Sequence, residues 1–429
     1  MQPAGIANKM SPSYKMVRKY FIASICGFAM LTFLMFINAD SITGYHFQPK
    51  LLGLTHIATL GWITMIIFGA MFQLVPVVLQ VKLFSERLGE IQFWVYLASV
   101  TGMVLSFFKF DTFLLAVFAS LVSLAILIFI FNITASLIRV KEWNITGTYL
   151  AAALFYLFFT VAAGIMMAIN LYSPYFKTNH LEYLKLHAHL AFVGWVSMVI
   201  MGVTYKLIPM FSLSHGFSLK PAKWVFVFIN AGLILLTVEY HFPRRTIMLP
   251  ISTALIACGN LTFLYQVYLI MKNRVRKNLD VGLTYSMVSF GMMFAATIVG
   301  VFLVFEKFLD FDALTRVVLI YGYMILFGYF SLLIVGQMYK IVPFLVWFHK
   351  FSSKVGFEPV PLLKDMYSEK LARAEFVLMI FAVAVTITAM ALENKILMYA
   401  STGVMFVSSL LFLKNMFSIF FIRSVKNDK

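Results

Sequence analysis

Eight histidines occur in the chain, and three of them, His56, His187 and His189, lie in or beside long apolar stretches. An ionisable side chain in such a place is costly and rare, and is a functional hypothesis by default. Neutral imidazole is a common metal ligand. Heme iron commonly takes an axial histidine, whereas zinc wants three or four ligands converging tetrahedrally. This scattered set suits the first chemistry better than the second. His187 and His189 are two residues apart, about 200° around a helix. They therefore point to nearly opposite sides and serve two separate sites, or one site plus a hydrogen bond.

The elements that carry them are membrane helices. Of 429 residues, 62% are hydrophobic and 12% charged, with a mean hydropathy of +0.91, against roughly 25% charged residues in a soluble domain. That excludes a soluble enzyme, a disordered chain and a disulfide-built secreted module. Stretches free of Asp, Glu, Lys and Arg run 20–39, 51–81, 91–108, 112–138, 143–176, 186–205, 224–238, 246–271, 281–305, 317–339, 376–392 and 396–413. At about 20 residues per crossing they predict an all-α integral membrane protein with twelve transmembrane helices, and lipid as its surroundings. The first stretch lacks a small-residue cleavage site, so it reads as a span and not as a signal peptide. Cys26 and Cys258 stand alone in different stretches and are expected to be inert packing.

The segments 55–76, 188–209 and 322–343 are copies of one pattern, offset by 133 and 134 residues. The first two agree at nine of 22 places: His56/His189, Ala58/Ala191, Gly61/Gly194, Trp62/Trp195, Met65/Met198, Ile67/Ile200, Gly69/Gly202, Leu74/Leu207 and Pro76/Pro209. The third keeps Gly328, Gly336 and Pro343, has Tyr329 for the tryptophan and replaces the histidine with Tyr323. An internal period of four spans predicts three pseudo-symmetric four-helix repeats, approximately 16–140, 141–275 and 276–429, within a single polytopic domain spanning 1–429. Glycines eight residues apart lie about 80° apart on a helix, near enough to share a face that admits a neighbouring helix or a flat ring. The closing proline is expected at the end or a kink of its helix.

Charge sets the orientation. The loops on the N-terminal side hold 23 Lys and Arg and the opposite loops nine; Lys206 and Lys340 lie inside spans. The positive-inside rule places both termini in the cytoplasm, in a bacterial-type inner membrane. It also explains the net charge of +17 without a nucleic-acid partner. His56, His187 and His189 then fall in the outer third of the membrane. His46, His180 and His241 lie near the same face, whereas His215 and His349 follow repeat prolines and read as solvated loop residues. Lys206 and Lys340 read as snorkelling side chains, with proton uptake as the alternative.

The segment His187-Ala188-His189, followed by Gly194, Met198, Gly202 and Ile208-Pro209, resembles the tenth helix of subunit I of the heme-copper oxidases and nitric oxide reductases. Thr55-His56 running to Leu74-Val75-Pro76 resembles that family's second helix. Its subunit I has twelve helices in three arcs, so the architectural resemblance covers nearly the whole chain. The resemblance implies heme, one or two per chain: His56 and His189 as low-spin ligands, and His187 as proximal ligand of a second heme. It further implies that Arg244-Arg245 hold heme propionates, for which paired guanidinium and carboxylate groups are suited, though loop solvation explains that pair equally well. A c-type cytochrome subunit or a quinol is the electron donor it implies. The chain departs from the pattern at several places. The HxH lies one repeat earlier than in the oxidases, segment 224–238 lacks the adjacent His-His of the copper site, and no oxidase-type histidine with a partner tyrosine one turn away is present. His241, near Glu239, is the remaining metal candidate. NnrS-type membrane proteins, a related heme-and-copper group linked to nitric oxide metabolism, are the closer resemblance. The expected function is thus a heme-binding redox protein for electron transfer or nitric oxide or oxygen handling, an oxidoreductase without a complete copper site. A repeat-built transporter or channel and a non-catalytic heme sensor or assembly factor are the alternatives. Transport is disfavoured by the expected absence of Asp and Glu within the spans and by the repeat proline at a helix end.

Overall fold

A computed structural model describes residues 10–177, 180–241 and 247–422. Among the described residues, twelve helices are long and apolar enough to cross a membrane: α1 Tyr14–Ile37, α2 Pro49–Val78, α3 Glu86–Lys109, α4 Thr112–Leu137, α5 Ile145–Tyr172, α6 His180–Ser212, α7 Lys220–Tyr240, α8 Met248–Lys272, α9 Val281–Phe305, α10 Phe311–Lys350, α11 Glu369–Ala391 and α12 Lys395–Phe420. Each overlaps one charge-free stretch. Large apolar side chains such as Trp94, Phe131 and Ile234 are exposed on them, as contact with lipid requires. Side chains just before several helices cap free backbone N–H groups. Ser85, Asp111, Asn144, Asp310, Ser368 and Asn394 each accept from the amide three residues on.

The chain forms two compact units. The first takes residues up to 23, 49–275 and 297–308; the second takes 24–48, 276–296 and 309–429. The change at 275/276 falls where the third sequence repeat begins.

Three local features recur along the chain. Each of α2, α6 and α10 is interrupted by eight residues of π-helix, at Ile57–Thr64, Leu190–Ser197 and Met324–Ser331. These segments start immediately after His56, His189 and Tyr323, and have the same 133- and 134-residue offsets as the sequence copies. π-turns inside α-helices are frequent at functional sites. The second feature is a tyrosine packed on a repeat glycine. A Cβ added to Gly69, Gly202 or Gly336 would lie 2.8, 2.6 or 2.5 Å from the Cβ of Tyr20, Tyr149 or Tyr285 respectively. The third is an amide clamp. Asn132 and Asn415 each accept from the backbone N–H of Ser85 and Ser368, at 3.0 and 3.2 Å, and donate to the same residue's carbonyl. Gln266 donates to the Ser218 carbonyl at 3.0 Å. These clamps satisfy peptide groups at helix starts, where the helix offers none, and tie α4 to α3, α8 to α7 and α12 to α11.

The structure alters several expectations. Pro76 and Pro209 stand in the last turns of α2 and α6, as expected, but α10 continues from Pro343 to Lys350. His349 is therefore helical and half-buried, not in a solvated loop, whereas His215 is exposed in a loop. Gly61 lies in a π segment and Gly69 beyond it, so the pair does not keep the spacing of a straight α-helix. Cys26 and Cys258 are exposed, not packed inside. Lys206 is exposed, but Lys340 is ion-paired with Asp280, which also receives Arg276 at 2.9 Å. Helix α11 begins at Glu369, upstream of the charge-free stretch at 376, and thus carries Glu375 in its interior.

Candidate functional site

His56, His187 and His189 all belong to the first unit, on α2 and α6, and all three are half-buried. His56 Nδ1 is 2.8 Å from the Leu52 carbonyl and His189 Nδ1 is 2.7 Å from the Lys185 carbonyl, each one turn earlier on its own helix. His187 Nδ1 reaches across to α5, 2.9 Å from the Thr160 carbonyl. A carbonyl oxygen only accepts, so Nδ1 carries the hydrogen in each ring, and a neutral imidazole then keeps its lone pair on Nε2. Metal-bound histidines are held in this way, with the second ring nitrogen donating to a carbonyl or carboxylate that fixes tautomer and plane. Bonding one turn back is open to any helical histidine. The bond of His187 to another helix is the more informative one.

The surroundings of the rings differ. His56 stacks on Phe107 of α3, with centroids 4.6 Å apart and planes 23° apart. His187 lies over Gly164 of α5, where an added Cβ would be 3.0 Å from ring atom Cε1. His189 faces α7, its centroid 6.0 Å from that of Tyr240. The two histidines of the HxH thus turn to different helices, as their spacing dictates. An electrostatic interaction links His187 to His56.

Gly61, five residues after His56, is open. An added Cβ would meet only the Ile57 side chain of its own helix, at 3.5 Å. At the equivalent places an added Cβ would lie 2.6 Å from Tyr156 Cγ at Gly194 and 2.6 Å from Met292 Cε at Gly328. Of the three copies, the one with open space beside its first glycine is also one that carries a histidine. In the third copy Tyr323 takes the histidine's place; its hydroxyl is 3.8 Å from Met405 Sδ and its ring stacks on Phe327.

Arg244, Arg245 and the side chain of His241 lie outside the described residues. Among the described residues no three His, Cys, Asp or Glu side chains gather as a metal cage would need. A heme asks less, one or two axial imidazoles with apolar walls. Thr160 and Gly164 were not legible as site residues. They belong to no repeat copy, and a backbone carbonyl has no sequence signature. They give a direct check: Gly164→Val should displace His187 and change the electronic spectrum of any heme it binds, whereas Gly291→Ala, where nothing lies within 4 Å of the new Cβ, should leave it unchanged. No family model matches the chain, and no curated protein matches it either.

Proposed function

We propose that this multi-pass membrane protein binds heme through His56, His187 and His189, and that it is a redox or gas-handling protein resembling subunit I of the heme-copper oxidases, in the manner of the NnrS-type proteins. The observation that carries this reading is the shared posture of the three imidazoles. Each has Nδ1–H engaged by a carbonyl, which leaves Nε2 as the free donor. The open flank of Gly61 is the kind of space that a flat ring fills.

His56 and His187, from α2 and α6, are the pair we assign to one iron, because they interact electrostatically and the His187 ring is held by a second helix. His189, turned towards α7, is assigned to a separate site or to an open coordination. Bound heme would supply one-electron exchange and, with one axial position free, affinity for a small gas. The protein's own contribution is to fix the tautomers through Leu52, Thr160 and Lys185, to shield His56 behind Phe107, and to exclude water with apolar helices. Arg244 and Arg245 remain the proposed partners of the propionates, and a c-type cytochrome or quinol the proposed donor. We expect metal analysis of the purified protein to return iron, with less than one tightly bound copper per chain. Stoichiometric copper, lost on His241→Ala, would restore a relocated binuclear site and overturn this part of the proposal.

The recurring π segments, glycine–tyrosine contacts and amide clamps support an architecture of three related four-helix repeats. The bias of 23 to nine basic residues supports cytoplasmic termini in an inner membrane. Reporter fusions after Lys429 and within loop 351–368 should be cytoplasmic, and a fusion at 243–245 external. An external C-terminus would put the histidines at the wrong depth for a donor on the outer face.

A further inference from the structure

Glu375 has no exposed surface. It sits inside α11, in the second unit, and receives hydrogen bonds from two phenols: Tyr285 Oη of α9 at 2.6 Å from Oε1, and Tyr339 Oη of α10 at 3.4 Å from Oε2. From α12, Asn415 Nδ2 donates to Tyr339 Oη at 3.2 Å, and Ser408 Oγ donates to the Glu375 backbone carbonyl at 3.0 Å. Among the described residues, no cation makes an ion pair with this carboxyl. Lys340, Arg276 and Asp280 are engaged with one another; Tyr367, whose ring lies 5.1 Å from that of Tyr339, and Glu369, which interacts with Tyr367, are further titratable groups on this side.

The fold does not need an acid at this place. Tyr20, Tyr149 and Tyr285 are equivalent by their packing on the repeat glycines, and their hydroxyls point to matching places on α3, α7 and α11. Tyr20 Oη donates to the Gly89 carbonyl at 2.6 Å and also meets Gln92 Oε1, while Tyr149 Oη donates to the Ala222 carbonyl at 2.7 Å. Gln92 and Val225, three residues after Gly89 and Ala222, stand where Glu375 follows Ala372, and both are fully buried. An amide and an isopropyl group thus satisfy the same packing. An unpaired carboxyl in the membrane interior is costly as the anion, and ionisable groups so placed mark proton relays and similar pathways.

We propose that Glu375 is a proton-binding site that exchanges one proton, by way of the Tyr339 hydroxyl, with water at the end of α11 marked by Ser368. On release the carboxyl O–H bond breaks and the proton passes to the Tyr339 oxygen, which gives its own proton to water. Tyr339 ends as the phenol it began as, and no electron moves. Tyr285 donates to the carboxylate that is left. The surface is near: Asn415 Nδ2 donates both to Tyr339 Oη and to the carbonyl of exposed Ser368, and so positions the phenol beside this helix end without itself carrying the proton.

Infrared spectroscopy of the purified full-length protein tests this independently of heme. A carbonyl stretch of a protonated carboxylic acid should be present near neutral pH, should shift on transfer to heavy water in the folded protein, and should bleach reversibly on raising the pH. Glu375→Gln should lack it while melting at the same temperature as wild type, since Gln92 is the natural precedent. Tyr285→Phe should move the band without removing it, which assigns the band to this carboxyl even without the glutamine variant. Tyr339→Phe should keep the band but slow its exchange roughly a hundredfold, the scale of one lost proton-transfer partner. A wild-type protein without the band, or one whose band neither exchanges nor responds to pH, has only a structural carboxyl here, and the proposal fails.

Discussion

His187→Ala and His56→Ala are each expected to abolish the low-spin heme spectrum, and to do so equally. A bis-imidazole iron needs both ligands, and these two, from α2 and α6, are the pair proposed to share it. Loss of a hydrogen-bonding partner behind a ligand already costs 10–100-fold in metal affinity, so removal of the ligand itself should exceed that. His189→Ala should leave the signal of that pair and affect only a second heme or a gas-reactive form, because its ring faces Tyr240 on α7. His215→Ala is the control, since His215 is exposed in the loop after α6. Should His189→Ala remove the low-spin signal while His187→Ala spares it, the pairing reverts to the one implied by the oxidase resemblance. Spectra of wild type retained by all three variants would sink the ligand assignment altogether.

The largest stability effect is expected at the third repeat glycine. An added Cβ at Gly336 would stand 2.5 Å from Tyr285 Cβ and 2.7 Å from the Gly282 carbonyl oxygen. Neither atom is the far end of a flexible side chain, so two helices must move apart. Overpacking of this sort costs about 1–3 kcal/mol, occasionally more, and here it would also disturb the hydroxyl that Tyr285 places on Glu375. Gly336→Ala should therefore lower the thermal midpoint in detergent by several degrees. Gly322→Ala lies on the same helix with nothing within 4 Å of the new Cβ and should be neutral. Equal midpoints for the two variants would show that the close glycine contact is not what sets this helix spacing.

Much of the frame was legible in the sequence because membrane spans announce themselves by what they lack. The twelve charge-free stretches each became a helix. That same criterion hid Glu375: segments defined by the absence of acids cannot contain one, and the packing that tolerates this carboxyl comes from Tyr285 and Tyr339, 90 and 36 residues away. The repeat copies marked where the chain does something unusual, but not what. The π segments after His56, His189 and Tyr323 change hydrogen-bond register, for which residue types carry little signal. The spacing of the HxH correctly implied two directions. Which helices those directions meet depended on how α5, α6 and α7 pack, and no local pattern specifies that. The repeat glycines admit helices at Gly69, Gly202 and Gly336, whereas the open place beside Gly61 became visible only once its neighbours were.

Binding of heme by imidazole from α2 and α6 would be seen at once in the absorption spectrum of the purified protein, oxidised and then reduced. A Soret band with the sharp visible bands of a low-spin, bis-imidazole heme is expected on reduction, and its loss in His187→Ala. A protein from heme-replete cells that shows no Soret band in either state would contradict heme binding.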